Sequence, residues 1–85
     1  MRYSASIVNQ DTPLADRTTV GTLDEIVALV RAMPVRCCAR VSSISPVLGG
    51  LWVDTVGRSS DGRLYRAWTL PRDGAEWRAA LGALP

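Results

Sequence analysis

The residues of this chain able to do chemistry are eight carboxylates, ten arginines and two adjacent cysteines; histidine and lysine are absent. Without histidine the usual general base is missing. With it go the serine–histidine and cysteine–histidine nucleophile systems and the commonest transition-metal ligand. Without lysine there is no Schiff-base nucleophile and no phosphate-loop cation. The glycines do not restore such a site. Val47-Leu48-Gly49-Gly50 lacks the lysine and the following helix of a phosphate loop. Gly57-Arg58-Ser59-Ser60-Asp61 lacks the final glycine of a nucleophile elbow.

The cysteines and carboxylates have structural explanations. Cys37 and Cys38 are neighbours, and neighbours in a strand point to opposite faces, so this pair does not staple the fold. Two thiols without histidine make a poor zinc site. A buried cysteine acting as a small hydrophobe is the favoured reading, with redox sensing as the alternative. Among the carboxylates, Asp24, Glu25, Asp73 and Glu76 fall at helix starts, and Asp61 falls in a turn. Asp11 and Asp16 lie in a polar loop. Only Asp54 sits in mid-strand, and arginines on neighbouring strands make an ion pair its best explanation. The expectation is a protein with no catalytic residue, cofactor or metal.

Tryptophan and arginine then carry the remaining signal, because both are enriched where proteins bind one another. Their placement depends on the elements. Arg2 to Asn9 alternates as a half-buried strand, with Tyr3, Ala5 and Ile7 on one side. Asn9 to Gly21 reads as a long polar loop with a short turn near Leu14. Thr22-Leu23-Asp24-Glu25 is a capping box, and Leu23, Ile26, Val27, Val30 and Met33 follow at helical spacing until Pro34. Val35 to Ser45 predicts a strand with Val35, Cys37, Ala39 and Val41 on one face and Arg36, Cys38 and Arg40 on the other. Ser45-Pro46 and Gly49-Gly50 mark a turn, Leu51 to Val56 a third strand, and Gly57 to Gly62 a hairpin connection. Arg63 to Leu70 predicts a fourth strand, stopped by Pro71. Asp73 caps a last helix carrying Trp77, Ala80, Leu81 and Leu84.

The order β-α-β-β-β-α predicts one α+β domain over residues 1–85: an antiparallel sheet with both helices on one face. On the third strand, Leu51, Val53 and Thr55 suit the core, which places Trp52, Asp54 and Val56 outside. The parity of the fourth strand is open. If Tyr65, Ala67 and Thr69 face in, then Leu64, Arg66 and Trp68 face out; the opposite choice buries Trp68 and Leu70 but also Arg66. Under the first choice the helix-free face displays Arg36, Arg40, Trp52, Asp54, Arg66 and Trp68. These six are the candidate partner-binding residues. The alternative is that one or both tryptophans pack under a helix or stack on an arginine, as ordinary core or edge.

Totals agree with a small globular protein. The chain has 85 residues, 47% hydrophobic and 21% charged, with a net charge of +2. A chain of that length buries only about 60–65% of its unfolded surface, so its core is thin. The charge is too mild to specify nucleic acid or membrane. No apolar run approaches the ~20 residues of a membrane span, and the N-terminus lacks a signal-peptide pattern, so a cytoplasmic location is expected. Arginine without lysine, with abundant alanine, valine and glycine, fits a GC-rich bacterial or phage genome.

Two functional classes follow. The first is a protein-binding module, an inhibitor of the bacterial immunity, antitoxin or phage anti-defence kind, whose partner is another protein or complex. It would dock through the sheet face or the Asn9–Gly21 loop. The second is an RNA or single-stranded nucleic-acid binder that stacks bases on sheet tryptophans. Asp73 and Glu76 oppose it, standing where double-stranded-RNA-binding domains place a basic cluster. A small homo-oligomer or accessory subunit, associating through an exposed edge strand or the tryptophan patch, is a third reading.

Overall fold

A computed structural model describes residues 2–11, 17–47, 49–69 and 74–84. The elements are β1 (Arg2–Asn9), β2 (Arg17–Gly21), α1 (Leu23–Arg31), β3 (Cys37–Ser45), β4 (Gly49–Arg58), β5 (Leu64–Thr69) and α2 (Ala75–Leu81). The strands form one antiparallel sheet in the order β2-β1-β3-β4-β5. α1 packs on β1 and β2 and against α2, so both helices cover one face. The fold is α+β, as its pattern of elements predicts. None of the described helices is long and apolar enough to cross a membrane.

α1 forms where its local signals place it. The Thr22 hydroxyl accepts from the Glu25 backbone N–H at 3.3 Å, and the Glu25 carboxylate accepts from the Thr22 N–H at 3.1 Å. Two of the otherwise unpaired donors of the first turn are thereby satisfied. Ile26 and Val30 turn into a core completed by Tyr3, Ala39, Val41, Val53, Val56 and Trp77. Arginines close the helix ends. Arg58 donates to the carbonyls of Met33 (2.7 Å) and Arg31 (2.6 Å), and Arg31 donates to the Leu81 carbonyl at the end of α2 (2.5 Å).

Several expectations are corrected. The predicted loop Asn9–Gly21 contains a fifth strand, β2, paired with β1 from Tyr3↔Gly21 to Ile7↔Arg17. It is an edge strand, exposed at Arg17 through Val20, so no apolar alternation announces it. The turn near Leu14 lies outside the described residues. β3 begins at Cys37 rather than Val35. Arg36 has a φ of 62°, which turns the chain, and Val35 is left 45% exposed instead of sharing the core with Cys37. β4 runs on through Gly57 and Arg58, shortening the connection to β5. The N-cap of α2 is Gly74, one residue after the expected Asp73, which lies outside the described residues.

Two irregularities in β4 and β5 decide what the sheet presents. Opposite β3, Val41 pairs with Asp54 and Ser42 with Trp52, so Val53 is an extra residue. Opposite β4, Thr55 pairs with Trp68 and Val56 with Arg66, so Ala67 is extra. Each bulge breaks the strict two-residue alternation on which face assignment from sequence rests.

Candidate functional site

The first bulge lets Val53 and Asp54 both enter the core; each is fully buried. This overturns the expected outward facing of Asp54 and Val56, since Val56 is also buried. Asp54 accepts from Trp77 Nε1 at 2.6 Å, from its neighbour Thr55 N at 2.9 Å, and from Arg66 Nε at 3.1 Å to both carboxylate oxygens. Arg66 therefore reaches the helix face as well, and its side chain is only 15% exposed. Asp54 is the ion pair that its mid-strand position suggests, but a buried one. Its lone pairs are taken up in joining β4, β5 and α2, which leaves no free oxygen to act as a base.

Arg36 also leaves the expected set. It stands in the turn before β3, and its guanidinium donates to Asp11 through Nε (2.8 Å) and Nη2 (2.7 Å). That bidentate pair joins the end of β1 to the start of β3. Its hydrogen bonds hold the Asp11 carboxyl below its ordinary range.

Arg40, Trp52 and Trp68 remain, and the structure brings them together on the helix-free face. Trp52 and Trp68 lie with ring centroids 4.2 Å apart at 33°. The Arg40 guanidinium carbon sits 4.7 Å from the Trp52 centroid. Trp52 Nε1 donates to the Asp54 carbonyl and to Thr55 Oγ1, both at 2.9 Å, which seats the indole along its own strand over Thr55. Thr55 is the residue that pairs with Arg40 on β3 and with Trp68 on β5. Trp52 is thus flanked from the two neighbouring strands by a cation and by a second indole. Such contacts contribute about 0.5–1 kcal/mol for an exposed cation–π pair and about 0.5–1.5 kcal/mol for the rings. The tryptophans nevertheless keep 40% and 39% of their surface in water.

The second bulge resolves the parity of β5. Neither simple alternative holds: Arg66 faces in, while Tyr65 and Trp68 both face out. Tyr65 lies across Gly57, its pairing partner, with the ring filling the place of a side chain there.

Other residues of this face were missed by sequence reasoning. Beside Arg40 lies a shallow depression of about 340 Å³ lined by Ser6, Val8, Cys38, Arg40 and Thr55. Alternation assigned Thr55 to the core, and nothing local in the sequence marks a serine, a threonine and a half-buried thiol as neighbours across three strands. Cys37 is buried on the opposite face from half-buried Cys38, and both are free thiols. Among the described strand residues only Asp54 carries a carboxylate, and it points away, so the described strands present Arg40 on the open face without a compensating anion. No family model matches the chain, and comparisons with curated proteins and with solved structures returned no match.

Proposed function

We propose that this chain is a small non-catalytic protein-binding module that neutralises a partner protein or complex by covering it with the helix-free face of its sheet. The observation that carries the reading is the Arg40–Trp52–Trp68 stack, exposed at the middle of a sheet face that no described element covers. Stacked aromatics beside an arginine supply large, rigid contact area at small entropic cost, which is what an interaction hot spot requires. An open antiparallel face is ordinarily polar, and two half-exposed indoles there call for a partner.

The non-catalytic reading rests on the missing histidine and lysine and on the engagement of Asp54 by Trp77 and Arg66. Inhibition, of the bacterial immunity, antitoxin or phage anti-defence kind, is what a small α+β domain without chemistry of its own can do by contact alone. It would act in the cytoplasm, where Cys37 and Cys38 stay reduced.

The test compares wild type with a Trp52→Ala, Arg40→Gln variant in affinity capture from the source cell, with and without nuclease. Arg66 is unsuitable for such a test, since its removal leaves Asp54 buried without its cation. A stoichiometric protein held by wild type, resistant to nuclease and lost from the variant is the expected result. The captured protein's own activity should fall when the wild-type chain is added. Equal capture by the variant removes the sheet face from consideration. Capture of nucleic acid only would return the nucleic-acid reading to first place.

A further inference from the structure

The proposed docking face also specifies what its partner brings. In the depression beside Arg40, nearly every polar group can donate. Thr55 Oγ1 accepts from Trp52 Nε1, which leaves its own O–H for an incoming acceptor. The Ser6 and Thr18 hydroxyls share one hydrogen bond at 2.9 Å, so one of their two protons is left over. Burial pushes the Cys38 thiol up, keeping it protonated. Arg40 lines the depression, covers Trp52, and makes no hydrogen bond or ion pair to another described residue. Its planar fork is held in place by the indole while its N–H groups stay available. A site of donors around one cation is completed by an acceptor-only anion.

We infer that the partner is a protein that inserts an aspartate or glutamate side chain into this depression, against Arg40, with an apolar neighbour laid on Trp68. The inference rests on the sheet face being the docking surface. The observations favour a carboxylate over the phosphates of a nucleic acid. A nucleic-acid strand presents phosphates in series and needs a track of cations, whereas the described strands put only two on this face, Arg40 and, four residues along β1 from the Ser6 that pairs with it, Arg2. Base stacking on Trp52 would have to displace Arg40 or Trp68, which flank it.

The experiment is selection of a random peptide library on the immobilised wild-type chain, with counter-selection on the Trp52→Ala, Arg40→Gln variant. Selected peptides are then titrated against single variants. Enrichment in Asp or Glu is expected. Arg40→Gln in the protein, or the amide replacement of the acidic residue in the peptide, should each weaken binding about tenfold or more, as for a charge-assisted hydrogen bond. The two changes together should cost no more than either alone, and Arg40→Lys should keep part of the affinity. Arg40 is exposed, so Arg40→Gln should stay folded with a melting temperature lowered only by the lost contact with Trp52, and a far-ultraviolet circular dichroism spectrum equal to wild type confirms that these effects concern binding. Peptides without acidic enrichment, or indifferent to Arg40→Gln, overturn the carboxylate inference; if they still depend on Trp52, the docking face stands. Peptides indifferent to both variants, or no selection above the double variant, overturn both. Tight binding of oligothymidylate, weakening steeply with salt, would also overturn the carboxylate inference.

Discussion

Asp54 is the residue on which the fold depends most sharply. A buried carboxylate is tolerated only when paired and hydrogen-bonded, and here Trp77, Arg66 and the Thr55 N–H supply those partners. Asp54→Asn preserves shape but leaves Arg66 beside a neutral amide in a nearly dry site. The expected loss is about 3 kcal/mol, at the low end for a broken buried pair because Arg66 keeps some contact with water. Trp77→Phe removes the indole donor and leaves a cavity where the five-membered ring stood, so about 2–3 kcal/mol is expected. The two changes share a partner, so the double variant should lose less than their sum. Urea unfolding measures all three as shifts in midpoint at constant slope. A loss below about half a kilocalorie for Asp54→Asn would return the carboxylate to the list of free groups. That Asp54 forms an ion pair is legible from a lone mid-strand acid among arginines. That the pair is buried is not, because burial follows from a bulge one residue away.

Local signals at the level of elements were readable, and cross-strand ones were not. The α1 capping box is written within four consecutive residues, so its hydrogen bonds follow from spacing alone. Thr22→Ala should cost about 1 kcal/mol. Hydrogen bonding from Thr22 holds the Glu25 carboxyl below its ordinary value, as Arg36 does for Asp11. A depressed native value means that the unfolded chain takes up protons first. The stability these groups contribute is therefore present above the ordinary carboxylate range and lost as pH falls through the depressed values. The melting temperature should decline on acidification below about pH 5, and Glu25→Gln should flatten part of that decline. A Glu25→Gln curve parallel to wild type would dissociate the capping box from acid stability. The bulges at Val53 and Ala67 arise from how three strands register, and β2 from pairing at a polar edge; neither leaves a mark within its own segment. Gly57 shows the consequence. Read as a turn residue, it is a strand position over which Tyr65 lies, and a Cβ there would clash with the Tyr65 ring. Gly57→Ala must displace the ring and should destabilise by about 1–2 kcal/mol, read by thermal or urea unfolding. In a Tyr65→Ala background the penalty should largely vanish, and an equal penalty there would place its cause in the backbone instead.

For the whole molecule, the question is whether the open face can satisfy itself. A symmetric dimer would place the same patch on both sides of a two-fold axis. Across such an axis Arg40 approaches its own copy. No carboxylate of the described strands lies on this face to answer it, so burying the tryptophans against a second copy brings like charges together. The face is complementary to something unlike itself. A monomer of 9.2 kDa is therefore expected in sedimentation at concentrations well above those of a cell. Arg40→Leu, which removes the repulsion and extends the apolar patch, should shift the mass upward with concentration. Adding Trp52→Ala to that variant should restore the monomer. A wild-type dimer dispersed by Trp52→Ala would reverse the argument, because the stack would then be a contact between copies and closed to any other partner. A monomeric wild type whose Arg40→Leu variant associates would instead identify Arg40 as the residue that keeps two exposed indoles available in a chain too small to bury them.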